Sequence, residues 1–181
     1  MSRRCPVKSR SRIVAPKKLE AEELFLRADK NWDQGRLDQA LSLFKAAAEA
    51  GEAGALLNVG YFYQNGLGVR RNSRTALHWY KRAYQRGDGS AANNIGTIWR
   101  DKNQPRRALL WFKRATELGN DSSNLEIAKY YLQIDHDPQA AVAFLKRVRE
   151  SKNVSEADVD AAEQLLREAG KVQRKARRPI G

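Results

Sequence analysis

The sequence predicts an all-α fold, an array of about four helical hairpins closed by one further helix. Large aromatic and aliphatic residues recur at helical spacing, three and four residues after an alanine that returns once in each repeat. Glycine ends most of these segments, as is typical of helix C-termini. Since such a hairpin cannot bury its apolar face alone, the pattern indicates stacked repeats. The recurring alanines, at intervals of 36, 32 and 33 residues, are Ala40, Ala76, Ala108 and Ala141.

The first hairpin is predicted from two amphipathic segments. The first runs from Lys18 to Gln34, with glutamates placed favourably in its first turn. The second runs from Leu37 to Ala50. Gly35 and Gly51 end the two helices.

The second hairpin, 55–87, has a longer turn than the others. Gly66, Gly68 and Asn72 mark that turn. A small residue occupies the position of close helix approach in every first helix. From this position to the repeat alanine the chain takes 12, 16, 12 and 13 residues, so only the second hairpin carries a four-residue insertion. The small residues are Ala28, Gly60, Gly96 and Ala128.

Helix starts support the same register in the later hairpins. Pro105 and Pro138 fall at the first helical position, where proline is well tolerated. Asn72 and Asp137 are good N-cap residues. After the fourth hairpin, Ser155 to Ala169 predicts a capping helix over the last apolar face.

These elements predict three regions of the chain. They are a disordered basic arm at 1–18, a repeat domain at 19–169 and a disordered basic tail at 170–181. The predicted units of the domain are 19–51, 53–87, 89–119, 121–152 and the capping helix 155–169.

With these residues in view, the chain resembles the tetratricopeptide-repeat superfamily, and its second repeat resembles the Sel1-like subtype. The first repeat is similar to an ordinary tetratricopeptide unit, and the third and fourth are similar to degenerate members without the inserted turn. The resemblance implies a right-handed α-solenoid whose first helices line a concave groove, and an adaptor function rather than an enzyme. The residues that match the Sel1-like pattern are Ala55, Gly60, Tyr63, Gly66, Gly68, Val69, Ala76, Trp79, Tyr80, Ala83 and Gly87.

Composition and charge bound the function classes. Hydrophobic residues make up 41% and charged residues 30% of the chain, which is typical of a folded soluble protein. The chain has no run of about 18 apolar residues, so the sequence predicts no membrane-spanning helix. The net charge of +13 lies mostly in the two arms, which are free of acids up to residue 18 and from residue 170 onward. Such arms bind polyanions or keep a protein soluble. The acid-free, arginine-rich N-terminus also leaves a mitochondrial presequence open.

No catalytic, cofactor-binding or metal-binding constellation is predicted. Cys5 is the single cysteine and has no disulfide partner within the chain, which fits a reducing, cytoplasmic location. His78 and His136 lie in different repeats and belong to no metal-ligand spacing. We expect His78 on an exposed or half-buried helix position and His136 in a turn.

The expected geometry of the family supplies a candidate groove. Asn58 and Asn94 are equivalent positions of adjacent first helices; their amides would bind a peptide backbone, satisfy helix ends or bond to each other. Some tetratricopeptide proteins clamp a peptide carboxylate with Lys and Asn, and of those positions only Asn58 matches in type. The candidate groove residues are Trp32, Asn58, Tyr61, Gln64, Asn94, Thr97, Arg100 and Lys129.

A basic surface is the second candidate site. Between Arg70 and Arg114 the chain has 12 Lys and Arg residues against two aspartates. This surface would meet an acidic partner, a nucleic acid or membrane phosphate, or would consist of solvated side chains whose stems cover an aromatic layer. Its residues are Arg70, Arg71, Arg74, Lys81, Arg82, Lys113 and Arg114.

The four tryptophans divide by position. Trp79 and Trp111 occupy equivalent repeat positions and are predicted to be core residues. Trp32 is expected to face the groove, and Trp99 to pack between repeats.

The leading prediction is a non-enzymatic adaptor that binds a protein or peptide in the concave groove. The alternative is a nucleic-acid or polyanion binder that uses the arms and the basic surface. An inhibitor or immunity-type protein with one tight partner is a third possibility.

Overall fold

The fold is known from a computed structural model that describes the backbone of residues 15–176 and the side chains of residues 20–170. The outer parts of the predicted arms, 1–14 and 177–181, lie outside the described residues. Within 15–176 the chain forms nine α-helices. They are α1 (Ala15–Asp33), α2 (Leu37–Ala50), α3 (Ala53–Asn65), α4 (Ser73–Tyr84), α5 (Gly89–Asp101), α6 (Pro105–Glu117), α7 (Ser123–Gln133), α8 (Pro138–Glu150) and α9 (Glu156–Ala176).

The helices pair into four antiparallel hairpins stacked as a right-handed α-solenoid, so the predicted fold class is confirmed. We call α1, α3, α5 and α7 the first helices and α2, α4, α6 and α8 the second helices. Each helix packs mainly on its immediate neighbours in the chain, and α9 packs on α8 and touches α7. None of the described helices is both long enough and apolar enough to cross a membrane.

The repeat alanines and the small residues opposite them form the inside of every hairpin. All four repeat alanines are buried. At the close-approach positions, Gly60 lies against the ring of Tyr80, and Gly96 lies against the ring of Phe112. An aromatic ring therefore fills the space that a Cβ would need, which explains why glycine stands in the two middle hairpins.

Cap residues and prolines mark the N-terminal ends of the second helices where the sequence predicts them. The Asn72 carboxamide accepts hydrogen bonds from the backbone N–H groups of Arg74 and Thr75, both at 3.1 Å. Asp137 caps α8 in the same way. Pro105 and Pro138 occupy the first positions of α6 and α8. The predicted register of the second helices is thereby confirmed.

The insertion of the second hairpin packs against the preceding hairpin. Leu67 and Val69 lie against the main apolar core. Between them, Gly68 has a φ of +61°, and a Cβ at this residue would lie 2.7 Å from the backbone nitrogen of Asp38 at the start of α2. The extra turn residues therefore cover the N-terminal end of α2.

The capping helix α9 buries its apolar stripe against the fourth hairpin. Ala162 is fully buried, and Leu165 and Leu166 pack against the cluster that contains Leu145 and Val148. The Ser155 hydroxyl accepts from the backbone N–H of Asp158 at 3.2 Å, as expected of an N-cap.

The helical backbone of α9 continues to Ala176, past the expected end at Ala169. Gly170 does not have a positive φ. A glycine inside a helix costs only about 1 kcal/mol. The next residues favour helix, and their positive charge is favourable at a helix C-terminus. The first part of the expected tail is therefore helical.

Candidate functional site

The predicted groove residues all lie on first helices and form what we call the groove row. Trp32 is on α1 and Lys129 is on α7. The members on α3 are Asn58, Tyr61 and Gln64, and those on α5 are Asn94, Thr97 and Arg100. Since all four first helices contribute, the groove row runs along the length of the solenoid. Its assignment as a binding surface stays a prediction.

An aromatic group occupies the α1–α3 end of the groove row. The ring of Trp32 packs edge-on against Phe62, with 5.0 Å between ring centroids, and lies 5.9 Å from the ring of Tyr61. Tyr61 is 42% exposed and is one of the few large hydrophobic side chains of the described region that face solvent to this degree. This end of the row presents an aromatic surface held in place by the core beneath it.

The two asparagines of the groove row differ in their surroundings. Asn94 on α5 lies within reach of the Tyr80 hydroxyl. That hydroxyl donates to Gln64 Oε1 at 2.7 Å, and burial raises its pKa, so it remains a neutral donor. The half-buried amide of Asn58 makes no hydrogen bond to any described residue.

A charged group occupies the α5–α7 end. Arg100 Nη1 lies 2.5 Å from Glu126 Oε2, and Lys129 Nζ lies 2.7 Å from Glu126 Oε1. Arg100 also pairs with Asp101 at 3.2 Å. Burial alone would raise the pKa of Glu126, but the two cations outweigh it and hold the pKa below its ordinary value.

Glu126 is absent from the predicted site residues, although the repeat alignment could have identified it. The interval is 36 residues from Asn58 to Asn94 and 32 residues from Asn94 to Glu126. The close-approach residues of the same three first helices have the same two intervals. Glu126 on α7 is therefore equivalent to the two groove asparagines and places a carboxylate at their position. Because only this third residue is charged, it draws Arg100 and Lys129 together.

We expect Glu126→Gln to remove part of the acid sensitivity of folding. Because the folded pKa of Glu126 is lowered from 4.5, its contribution to stability is full above pH 4.5 and is lost as the pH falls through the folded value. The difference in unfolding free energy between wild type and variant should therefore shrink as the pH drops from about 7 to about 3. Urea denaturation followed by circular dichroism measures it. A difference that stays constant over this range would contradict the ion-pair assignment.

The predicted basic surface spans the insertion turn and the second helices. Arg70 and Arg71 lie in the turn and are exposed. Three further members are on α4 and two on α6, namely Arg74, Lys81, Arg82, Lys113 and Arg114. Its function as a binding surface is not tested by the fold.

Arginine stacks on an aromatic ring at the same place in three successive repeats. The Arg82 guanidinium lies 4.4 Å from the Trp79 ring centroid, and Arg114 lies 4.7 Å from that of Trp111. The fourth hairpin repeats the arrangement, with Arg147 over Phe144. The two tryptophans pack against the core as predicted, but they are half-buried rather than enclosed. The arginine supplies the outer cover that a core position would receive from apolar neighbours.

The histidines lie where the sequence placed them. His78 is exposed on α4, and His136 is exposed in the turn before α8. Within the described residues, no three His, Cys, Asp or Glu side chains gather as candidate metal ligands. Trp99 packs against the core clusters on both sides of it, as predicted.

Comparison with known proteins identifies the repeats. The family model of the Sel1 repeat matches residues 37–52, 53–88 and 91–120. The chain is 43% identical over 54 residues to the chitin synthase regulator SKT5 of Malassezia restricta. It is 33% identical over 67 residues to HRD3A of Arabidopsis thaliana, an ERAD-associated E3 ubiquitin-protein ligase component. The matches cover 30% and 36% of this chain but only 4% and 10% of those proteins.

Solved structures agree on the fold. A Sel1 repeat protein from Oxalobacter formigenes superposes with a TM-score of 0.62 at 24% identity, over 87% of this chain and 76% of that one. The protective antigen c5321 of uropathogenic Escherichia coli, which displays an SLR fold, superposes with a TM-score of 0.65 at 16% identity, over 83% of this chain and 38% of that one. Residues 37–120 of the chain therefore contain three matches to the Sel1 repeat, and the stacked hairpins have the fold of these SLR proteins.

Proposed function

We propose that this protein is a non-enzymatic adaptor that binds a partner protein along the groove row. Sel1 repeats generally mediate protein–protein interactions. The observation that carries the proposal is the combination at the α1–α3 end of the row. There the exposed ring of Tyr61 stands one helical turn from the Asn58 amide, which has no hydrogen-bond partner among the described residues. An apolar contact beside a free amide suits an extended peptide, because the amide can bond to its backbone.

We expect the double variant Asn58→Ala, Tyr61→Ala to lose a captured partner while keeping its fold. Neither side chain is fully buried, so the change removes binding groups without opening the core. The immobilised chain is used to capture proteins from its native organism, and the affinity of each purified partner is then measured by calorimetry. A loss of at least about tenfold is expected, which corresponds to about 1.4 kcal/mol.

The matched control removes two positive charges from α4. Arg74→Ala, Lys81→Ala changes two exposed side chains of α4 and leaves the groove row intact. This variant should capture the same partners as the wild type. Partners that bind the groove variant undiminished would overturn the proposal.

A competing candidate function is the binding of nucleic acid or another polyanion. The observation that favours it is the charge of α4, which carries Arg74, Lys81 and Arg82 and no acidic residue. Against it, Arg82 is already paired with Glu49 at 2.9 Å. For this function the control variant above would be the defective one, and the affinity for a single-stranded oligonucleotide would fall steeply between about 50 and 200 mM salt.

A further inference from the structure

A cavity of about 210 Å³ opens between the third and fourth hairpins. Its walls come from the N-terminal half of α6, from α7 and from Ile134 directly after α7, and Arg100 of α5 also lines it. Leu109, Phe112 and Ile134 make the apolar part of the lining. Engineered cavities of about 150 Å³ hold a benzene-sized group, so this one has room for a large side chain.

The first and second hairpins contain a site that is equivalent by repeat to this cavity. Ala40 of the first hairpin and Ala108 of the third are equivalent repeat alanines, and they stand 68 residues apart. The first helices keep the same interval, since Ala28 and Gly96 are also 68 residues apart, as are Gly60 and Ala128. Each wall residue of the cavity can therefore be matched to a residue 68 positions earlier.

In this register, Arg100 corresponds to Trp32. The Trp32 ring packs against two aromatic rings, at 6.0 Å from Phe44 and 5.0 Å from Phe62 between centroids. Both of those rings have aromatic counterparts in the wall of the cavity, which are Phe112 for Phe44 and Tyr130 for Phe62. The cavity is therefore the counterpart of the place that the indole of Trp32 fills in the first half of the solenoid.

Two changes leave the later place open. Arg100 extends to Glu126 and Asp101 instead of filling the space with a ring. The turn after α7 also lacks the insertion whose Leu67 packs on the core in the second hairpin. The same backbone arrangement thus holds the indole of Trp32 in one half of the solenoid and no ring at the equivalent position in the other.

We propose that this cavity receives an aromatic side chain, of the size of tryptophan, from the partner protein; this rests on the proposed adaptor function and adds a specificity pocket to it. The wall of the cavity offers the ring contacts that Trp32 has in the first half. Arg100 at its edge is placed to cover the outer face of the ring. The chain uses this pairing repeatedly, since Arg82, Arg107 and Arg114 each lie within 5.0 Å of a tryptophan ring centroid.

The rim does not favour a strongly charged partner. Two lining cations, Arg100 and Lys129, are bridged by Glu126, and Asp101 pairs with Arg100 from outside. Because these charges are largely balanced, the ring and not a charge is the recognised group.

N-acetyl-tryptophanamide is the probe that tests the pocket directly. Titration into the full-length ¹⁵N-labelled chain should give saturable shifts of the Leu109, Tyr130 and Ile134 amides, with a dissociation constant on the order of 1 mM. N-acetyl-serinamide should shift none of them. Absence of saturable shifts at these residues, or shifts confined to other regions, would overturn the proposal. Shifts that grow with protein concentration and without probe would identify a second copy of the chain as the occupant and would also overturn it.

Arg100→Trp supplies the ring from within, as Trp32 does in the first half. This variant should weaken probe binding at least about tenfold, whereas Arg27→Trp, an exposed change on α1, should leave it unaltered. A folded Arg100→Trp variant that binds the probe as the wild type does would contradict the assignment. A second variant, Ile134→Ser, removes an exposed wall residue with little risk to the fold and should also weaken binding.

The two proposals fail separately. If groove variants abolish partner capture but the probe does not bind, the pocket is overturned and the adaptor function stands. If the probe binds at the predicted amides but no partner depends on the groove row, the adaptor function is overturned and the pocket stands as a ligand site.

Discussion

Gly68→Ala is expected to lower the free energy of unfolding by about 3 kcal/mol. The residue has a φ of +61°, which disfavours any side chain. In addition, a Cβ would lie 2.7 Å from both the Asp38 nitrogen and the Leu37 carbonyl carbon. These are backbone atoms, which cannot rotate away as a flexible side chain does, so α2 or the insertion must shift. Chemical denaturation followed by circular dichroism measures the loss.

Gly87→Ala is the matched control for this prediction. Gly87 also has a positive φ, +87°, but nothing lies within 4 Å of the position of its Cβ. It therefore carries the conformational cost alone, about 1 kcal/mol. Equal losses for the two variants would contradict the close packing of the insertion on α2.

Gly60→Ala is expected to destabilise the protein by about 2 kcal/mol although alanine is the better helix former. A Cβ at this position would lie 2.5 Å from two carbons of the Tyr80 ring, which is fully buried. Gly54→Ala in the same helix is the control, because its Cβ would meet Phe25 at an ordinary 3.4 Å. That variant should be nearly neutral.

A double-mutant cycle with Tyr80→Leu isolates the contact. Position 80 corresponds to Leu145 in the fourth hairpin, where the opposing first-helix residue is Ala128. Combining Gly60→Ala with Tyr80→Leu recreates that pair, so the double variant should be more stable by about 1 kcal/mol than the summed single losses predict. Strict additivity would show that the two residues do not constrain each other.

The hairpin register could be predicted from the sequence because it depends on local patterns. The spacing of the repeat alanines, the proline positions and the cap residue Asn72 each mark the chain within one helical turn. The pattern does not decide the half-burial of Trp79, because a core position and an aromatic layer covered by basic side chains are both open. Its aromatic spacing resembles that of a core residue, and only the stacking of Arg82 shows that one side of the ring faces outward.

The candidate site was only partly accessible to such patterns. Arg100 and Lys129 could be predicted as separate groove residues, but no local pattern indicates that one carboxylate joins them across two hairpins. The counterpart of the cavity has a ring at position 32 and a longer turn after α3. The cavity beside Arg100 has neither a ring at position 100 nor a longer turn after α7. Such differences become visible only when the two halves of the solenoid are compared.

Contacts between chain neighbours also determine how a local lesion spreads. Since each helix packs mainly on the helices before and after it, the domain behaves as a one-dimensional array with nearest-neighbour coupling. A strong defect in the second hairpin would cut this array between the first hairpin and the remainder. The C-terminal block would retain its α9 end cap, while the isolated first hairpin would have too little interface to stay folded.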